Sequence, residues 1–565
     1  MAKIVELEIH NYRGIHSFVQ RFDRDVVCLV GRGDSGKTTI LEAIKSVLSP
    51  AWNLPFYDTD FYKLNSEQPI EIIASIAYVP ESLISEHKYG LWIRTLCRDT
   101  GIVTDEITAG DVHVLTIKLT VGTDLEPKWT IVNGRREQEA EITAGDRSKL
   151  NCFMISDFID SHFSWNKGNP LNSLLKMHEV EAGKEKVVLD AIREAKEKID
   201  KADYAHFSGV MAAIKNQAAS LGLNLDGIQT TLDFKDVSVK EGKVSLHKDD
   251  VPFRLMGKGS KRLASMAIQT AISRDGGIAL IDEIEQGLEP DRIRQVARTL
   301  KDDNKGQVFI TTHSREVATE LEAKDLLVVN GNRDTGDIRT EFLDLDDSAL
   351  QGVIRACPEA FFSRKVIVCE GATEVGVCRA LDAYRRQQGK GPISFSDCAY
   401  VDGTGHSFTE RALKTRQAGL KVSVLCDSDV DDDLKPSKDE LVAEEVVIFD
   451  TSERNSFEDQ AFNDLPWNAI NELLEYVAKV HGKTEAALTD AVKAKYEGDF
   501  PENWQQADNE AMRKALAKAS VVKKKEWFKS VGHGEMLGQV IFKYFDEITD
   551  TRLYQALNGL AEWID

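Results

Sequence analysis

The feature that most constrains this chain is a glycine loop set between an apolar strand and a helical pattern. Val26-Val27-Cys28-Leu29-Val30 runs directly into Gly31-Arg32-Gly33-Asp34-Ser35-Gly36-Lys37-Thr38, and Thr39 to Val47 continue with helical periodicity. A strand, a GxxxxGK[ST] loop and a helix in that order require an α/β fold with a parallel core. The strand end and the helix N-terminus together aim backbone N–H groups at phosphates. Arg32, Gly33, Asp34, Ser35, Gly36, Lys37, Thr38 and Thr39 are therefore expected to hold ATP. Lys37 should reach the β- and γ-phosphates, and Thr38 should hold one Mg2+.

The matching acidic strand comes about 240 residues later, as Ile278-Ala279-Leu280-Ile281-Asp282-Glu283. Asp282 is expected to complete the metal shell and Glu283 to polarise the attacking water. A compact phosphate-loop domain needs far less chain than this. The interval holds strand-like runs at 70–77, 112–121 and 128–132, then a charged helical stretch from Met177 to Lys215, dense in opposite charges four apart. Gly257-Lys258-Gly259-Ser260 opens another helical run, so Gly257, Gly259 and Ser260 form a second expected phosphate seat. Gly287-Leu288-Glu289-Pro290 follows the acidic strand. A further strand, Val308 to Thr311, leads to Thr312-His313-Ser314, where His313 is placed to sense the γ-phosphate.

The second half repeats one device, a short apolar run ending in acids. Val366-Ile367-Val368-Cys369 leads to Glu370-Gly371-Ala372-Thr373-Glu374, and Val422-Ser423-Val424-Leu425-Cys426 leads to Asp427-Ser428-Asp429. Tyr400-Val401-Asp402-Gly403 reads as a strand and turn between them. Val446 to Asp450 precedes Ser456-Phe457-Glu458-Asp459, in which Glu458 is a further metal-ligand candidate and Asp459 its neighbour or substitute. Acids gathered at strand ends repel one another unless a divalent cation neutralises them. Glu370, Glu374, Asp427, Asp429 and Glu458 are thus expected to bind Mg2+ or Mn2+, two ions about 4 Å apart, for in-line phosphodiester displacement. The strongest local basic run, Lys523 to Lys529, lies beside Trp527 and Phe528 and suits a phosphate backbone. Lys525 and Lys529 are candidates to stabilise the transition state, and the sequence does not choose between them.

Composition sets wider bounds. With 565 residues, about two to four domains are expected. The formal net charge of −22 excludes a uniformly basic protein but not a local basic channel for DNA. Eight cysteines without a CxxC pair argue for reduced, buried thiols rather than zinc. No apolar run approaches the ~20 residues of a membrane span, and Met1 to His10 lacks a signal-peptide core, so a cytoplasmic protein without membrane partners is expected.

The ordered set of phosphate loop, Gly257 turn, acidic strand, Gly287 loop and His313 resembles the ABC ATPase head of the RecF-like and SMC-like branch. That resemblance implies a homodimer or higher oligomer with ATP at the head interface, joined also through the helical insert. The turn Gly-Lys-Gly-Ser departs from that branch's usual Ser-Gly-Gly, and the Q-loop is left between Asp60-Phe61 and Gln68. Glu370-Gly371-x-x-Glu374 with Asp427-x-Asp429 resembles the Toprim fold of primases, type II topoisomerases and certain nucleases. In that fold the first glutamate is a general acid/base or metal ligand and the aspartates bind metal.

An ABC head followed by Toprim resembles the overcoming-lysogenisation-defect (OLD) nucleases, a family that includes the nuclease subunit of the Gabija antiphage system and retron-associated nucleases. The expected layout is an N-terminal head part at 1–172, a helical dimerisation insert at 173–225, a C-terminal head part at 226–345 and a Toprim domain with helical additions at 346–565. The resemblance implies an ATP-regulated, metal-dependent endonuclease acting on double- or single-stranded DNA in defence against phage. It also implies a partner such as a helicase or a retron reverse transcriptase with its DNA. The alternatives are a topoisomerase or primase, and an SMC- or RecF-like DNA clamp or sensor without nuclease activity.

Overall fold

The computed structural model describes residues 2–565 except 108–109, 157–158, 166–168, 178–206, 234–242, 275, 304–305, 333, 344–347, 429–433, 453 and 481–484. The chain forms two compact units, Met1–Leu343 and Asp344–Asp565. The expected junction at 345–346 falls among residues outside the described ones.

The first unit is built on two large sheets. One is antiparallel and eight-stranded, from Lys3–Tyr12, Ile15–Arg21, Ile70–Ala77, Arg94–Leu96, Val103–Thr104, Val112–Val121, Pro127–Val132 and Ala140–Glu141. Its first strand shows why. Leu7 and Ile9 are buried while Glu6, Glu8 and His10 between them are not, the period-2 pattern of a sheet covered on one face. The other sheet runs Cys152–Ile155, Ile278–Ile281, Gln307–Thr311, Val26–Val30, Leu326–Gly331, Ile338–Phe342. Its first five strands are parallel and the last is antiparallel. Val26–Val30 is buried at every position, as a strand covered on both faces must be.

The helix Lys37–Val47 leaves the phosphate loop and buries Ile40, Leu41, Ile44 and Val47 in the core shared by the two sheets. Each such side chain contributes about 1.5–3 kcal/mol. The sheets are also stitched by one side chain: Ile4 N donates to Gln307 Oε1 at 2.7 Å and Gln307 Nε2 donates to Ile4 O at 2.9 Å. A small antiparallel sheet, Ile228–Asp233, Lys243–Lys248 and Val251–Pro252, leads to the helix Lys258–Arg274. Most of the charged stretch expected to dimerise, at 178–206, lies outside the described residues. The helices Pro170–Met177 and Ser208–Ser220 flank it in sequence.

The second unit centres on four parallel strands in the order Cys398–Asp402, Lys365–Cys369, Lys421–Cys426, Val447–Asp450. Register sets Cys369 beside Asp402 and Leu425, and Cys426 beside Asp450, so the residues after these strands share one carboxyl edge. The helix Ala372–Gln387 follows the strand Lys365–Cys369 and packs on the helix Val531–Lys543. That crossing depends on glycine. A Cβ at Gly376 would lie 2.4 Å from Glu535 N, and one at Gly534 would lie 2.5 Å from Thr373 O. Only bare backbone allows the two helices to approach this closely. The segment just before Val531 is thereby delivered to Glu374.

All eight cysteines are free thiols, and all but Cys97 are buried. Among the described residues, no helix is long and apolar enough to cross a membrane.

Candidate functional sites

In the first unit the phosphate loop, the acidic strand and the His313 loop meet at the carboxyl edge of the parallel sheet. Thr38 Oγ1 donates to Asp282 Oδ1 at 2.9 Å, and Thr311 Oγ1 donates to the same oxygen at 2.7 Å. Lys37 folds over the loop, with Nζ donating to Gly31 O at 2.9 Å, Arg32 O at 2.7 Å and Ser35 Oγ at 3.3 Å. Burial pulls Lys37 down to about 8, against the opposing pull of Asp282, Asp34, Glu285 and Glu283. Beside the loop lies a cleft of about 500 Å³ lined in part by Arg13, Asp34, Gly36, Tyr62, Lys63 and Asn332.

His313 is exposed overall, yet crowding around its ring and the Lys37 ammonium hold it below the ordinary histidine value. Its loop is held by a residue that the sequence did not single out. Glu285 accepts His313 N on Oε1 at 2.6 Å and Thr312 Oγ1 on Oε2 at 2.7 Å. Arg262, only 1% exposed, is a second such residue. From the helix Lys258–Arg274 it donates to Gln286 Oε1 at 2.7 Å, Glu283 O at 2.7 Å, Ser156 O at 3.5 Å and Asp282 O. Gly257 is exposed, and Gly259 and Ser260 are half-buried, at the start of that helix.

Strand order shows what lies beside the acidic strand. The strand beside Ile278–Ile281 is Cys152–Ile155, and Asp282 N donates to Ile155 O at 3.0 Å, so the loop next to Asp282 begins at Ser156. Asp60 pairs with Arg13 at 2.8 Å.

In the second unit, four of the five expected acids can be located, and Asp429 lies outside the described residues. Glu370 follows the strand Lys365–Cys369, and its Oε2 accepts Asp427 N at 3.0 Å across the sheet edge. Glu374 is buried in the first turn of the next helix, where Oε2 accepts Gly371 N at 2.9 Å. Burial, then Glu370 and Glu458, push its carboxyl up to about 8, with Lys529 opposing. Asp427 and Glu458 are buried at 4% and 1% exposure. Asp459 is no substitute for Glu458. It closes a capping box, accepting Ser456 N on Oδ2 at 3.0 Å while its own N–H donates to Ser456 Oγ at 3.1 Å.

Of the two lysines, Lys529 has its ammonium in the field of these acids. Lys529 is exposed overall, as Lys525 is; crowding around its ammonium lowers its pKa, but Glu458, Glu374, Asp427 and Glu370 together raise it above the ordinary value. Lys525 is exposed in the preceding turn, its N–H donating to Val522 O at 2.8 Å. Lys438, absent from the sequence reading, braces the same edge. Its Nζ donates to Ser428 Oγ at 2.8 Å and Asp427 O at 2.9 Å, and pairs with Asp450 Oδ2 at 3.1 Å.

Among the described residues, no three His, Cys, Asp or Glu side chains converge on one ion-sized point. The donor chemistry still fits a hard divalent cation. The donors are carboxylate oxygens, they are gathered at one sheet edge, and their repulsion helps hold a proton on Glu374 near neutral pH. A cation would relieve that repulsion.

Comparison with known proteins agrees with the two-part layout. Residues 2–167 match the AAA ATPase domain model, residues 160–318 match an AAA domain model, and residues 361–429 match the overcoming lysogenization defect protein-like TOPRIM domain. No curated protein matches the chain. Similar solved structures include the Smc head domain of Pyrococcus furiosus with an extended coiled coil, bound to the C-terminal domain of ScpA. It is 16% identical with a TM-score of 0.38, over 60% of this chain and 96% of that one. The Smc head of Pyrococcus yayanosii is 14% identical with a TM-score of 0.39, over 61% and 98%. That of Thermotoga maritima is 12% identical with a TM-score of 0.29, over 61% and 100%. The fold is α/β, an AAA-type ATPase unit followed by a Toprim domain with helical additions. The ATPase models followed by the OLD-like Toprim model reproduce the domain order of the OLD family that the sequence resembles.

Proposed function

We propose that this protein is a divalent-metal-dependent DNA endonuclease whose cutting is governed by ATP at its head, and that it serves antiphage defence. The observation that carries the reading is the gathering of Glu370, Glu374, Asp427 and Glu458 with Lys529 at one parallel-sheet edge. An ATPase that only clamps DNA has no use for such a charged, buried edge.

Glu370, Glu374, Asp427 and Glu458, with Asp429, would hold Mg2+ or Mn2+. When bound, such ions supply Lewis-acid stabilisation of the attacking and leaving oxygens. The chain's own groups do the rest. Glu370, fixed by the Asp427 N–H, is set to accept a proton from the attacking water. Lys529 presents a positive charge where negative charge develops on the scissile phosphate. Lys525 and its neighbours meet the flanking phosphate backbone.

At the head, Lys37 and the loop N–H groups bind the triphosphate, and Thr38 with Asp282 would hold its Mg2+. Glu283 polarises water, and His313 reads the γ-phosphate. The wild-type protein is expected to nick or linearise plasmid with Mg2+ or Mn2+, and Glu370→Ala and Asp427→Ala to lose that cutting by roughly 10³-fold or more. Absence of cutting under every metal and nucleotide condition would reject the nuclease and leave an ATP-driven DNA clamp. Religated topoisomers would instead mark a topoisomerase.

A further inference from the structure

We infer that Arg262 is a positioning residue for ATP hydrolysis, holding Glu283 in a strained backbone conformation from the helix that begins at the Gly257 turn. This rests on the reading of Glu283 as the group that polarises water. Glu283 has φ 46°, in the left-handed region that side-chain-bearing residues seldom occupy. Such a conformation persists only where the surroundings over-determine it.

Two elements hold it here. On one side, Glu283 N donates to Thr311 Oγ1 at 2.8 Å. On the other, Arg262 takes the carbonyls of Asp282 and Glu283 on one guanidinium nitrogen and Gln286 Oε1, at 2.7 Å, on the other. Gln286 N closes the turn onto Glu283 O at 2.9 Å. A rigid planar fork can span these acceptors together, whereas a lysine ammonium is a point donor and cannot.

Burying a guanidinium is costly, so a site that satisfies it with the carbonyls of a strained turn is a built arrangement. The clamp reaches further. A Cβ on Gly259 would lie 2.4 Å from Gly287 O, so the glycine turn packs directly on the loop that follows Glu283. The turn, Arg262 and Glu283 therefore move together, and a displacement of the turn is delivered to the carboxylate that must aim at water.

The test measures steady-state ATP hydrolysis and binding of a fluorescent ATP analogue on full-length Arg262→Lys and Gln286→Leu proteins. Arg262→Lys is expected to lower kcat about 10²-fold, the effect of an ångström-scale misplacement. Its analogue affinity should stay within a factor of about three, since Lys37 and the loop are untouched. Gln286→Leu should lower kcat about tenfold, and it decides the matter should Arg262→Lys not fold. Added guanidinium at non-denaturing concentration should restore part of the turnover of Arg262→Ala. Unchanged kcat in folded variants, or affinity falling in step with kcat, overturns the inference. A wild-type protein that binds but does not hydrolyse ATP overturns the reading of Glu283 instead.

Discussion

Asp282 and Glu370 occupy equivalent places, each just past the end of a parallel strand, but their surroundings differ in kind. Asp282 is met by two hydroxyl donors, Thr38 and Thr311, with the Lys37 ammonium close enough to feel its charge. Its geometry is arranged by hydrogen bonds before any ligand arrives. Glu370 has a backbone N–H from Asp427 and otherwise faces Glu374 in a buried cluster that Lys529 only partly offsets. One edge is prepared by donors, and the other is left with surplus negative charge. The difference teaches which site is set up for an incoming anion and which asks for cations.

The largest effect that could break this comparison is at the head. Lys37→Ala should abolish ATP turnover, and unchanged hydrolysis in that variant would remove the phosphate-loop assignment. Its plasmid cleavage, measured with and without ATP, gives the sign of the coupling between the two units.

The next effect sharpens the second edge. Lys529→Ala should reduce cleavage about 10²-fold with DNA binding nearly intact, as expected for loss of a charge aimed at the transition state. Lys525→Ala should cut within a few-fold of wild type but lower the salt slope of DNA binding by about 1, the signature of a lost phosphate contact. The reverse pattern would reassign the catalytic lysine.

The smallest effect concerns stability at the head. His162 lies buried with Nδ1 2.6 Å from Ser265 Oγ on the helix that carries Arg262, and burial lowers it from 6.5 to about 4. The folded state thus binds fewer protons than the unfolded chain between these values. Its neutral-imidazole stability is complete above about 6.5 and is lost as pH falls toward 4, on the order of 3 kcal/mol. His162→Gln should flatten that part of the unfolding-midpoint profile. An unchanged slope would show that the acid sensitivity lies elsewhere.

Local grammar made the chemistry-bearing residues readable. The phosphate loop, the acidic strand and the acid-ended runs of the second half each declare themselves within about ten residues, through strand–turn patterns. What stayed hidden are residues whose role is a distant partner. Arg262 looks like one more charge on a basic helix start until the Asp282 and Glu283 carbonyls stand against it. Glu285 looks like a surface acid in an acidic stretch. The choice of Lys529 over Lys525 depends on Gly376 and Gly534 letting two helices approach, contacts made across more than 150 positions. The start of the loop beside Asp282 needed strand order, which periodicity cannot supply.

The Gln307 side chain that stitches Ile4 to the core sheet has a consequence for motion. The strand Lys3–Tyr12 is already paired on both sides, with Ile15–Arg21 and Ile70–Ala77. Here the carboxamide behaves as one rung of a ladder, taking the N–H and giving to the C=O of the same residue. The strand Lys3–Tyr12 cannot peel away without tearing that rung from the strand that leads to Thr311. This strand therefore opens together with the parallel sheet, as part of one cooperative folding unit.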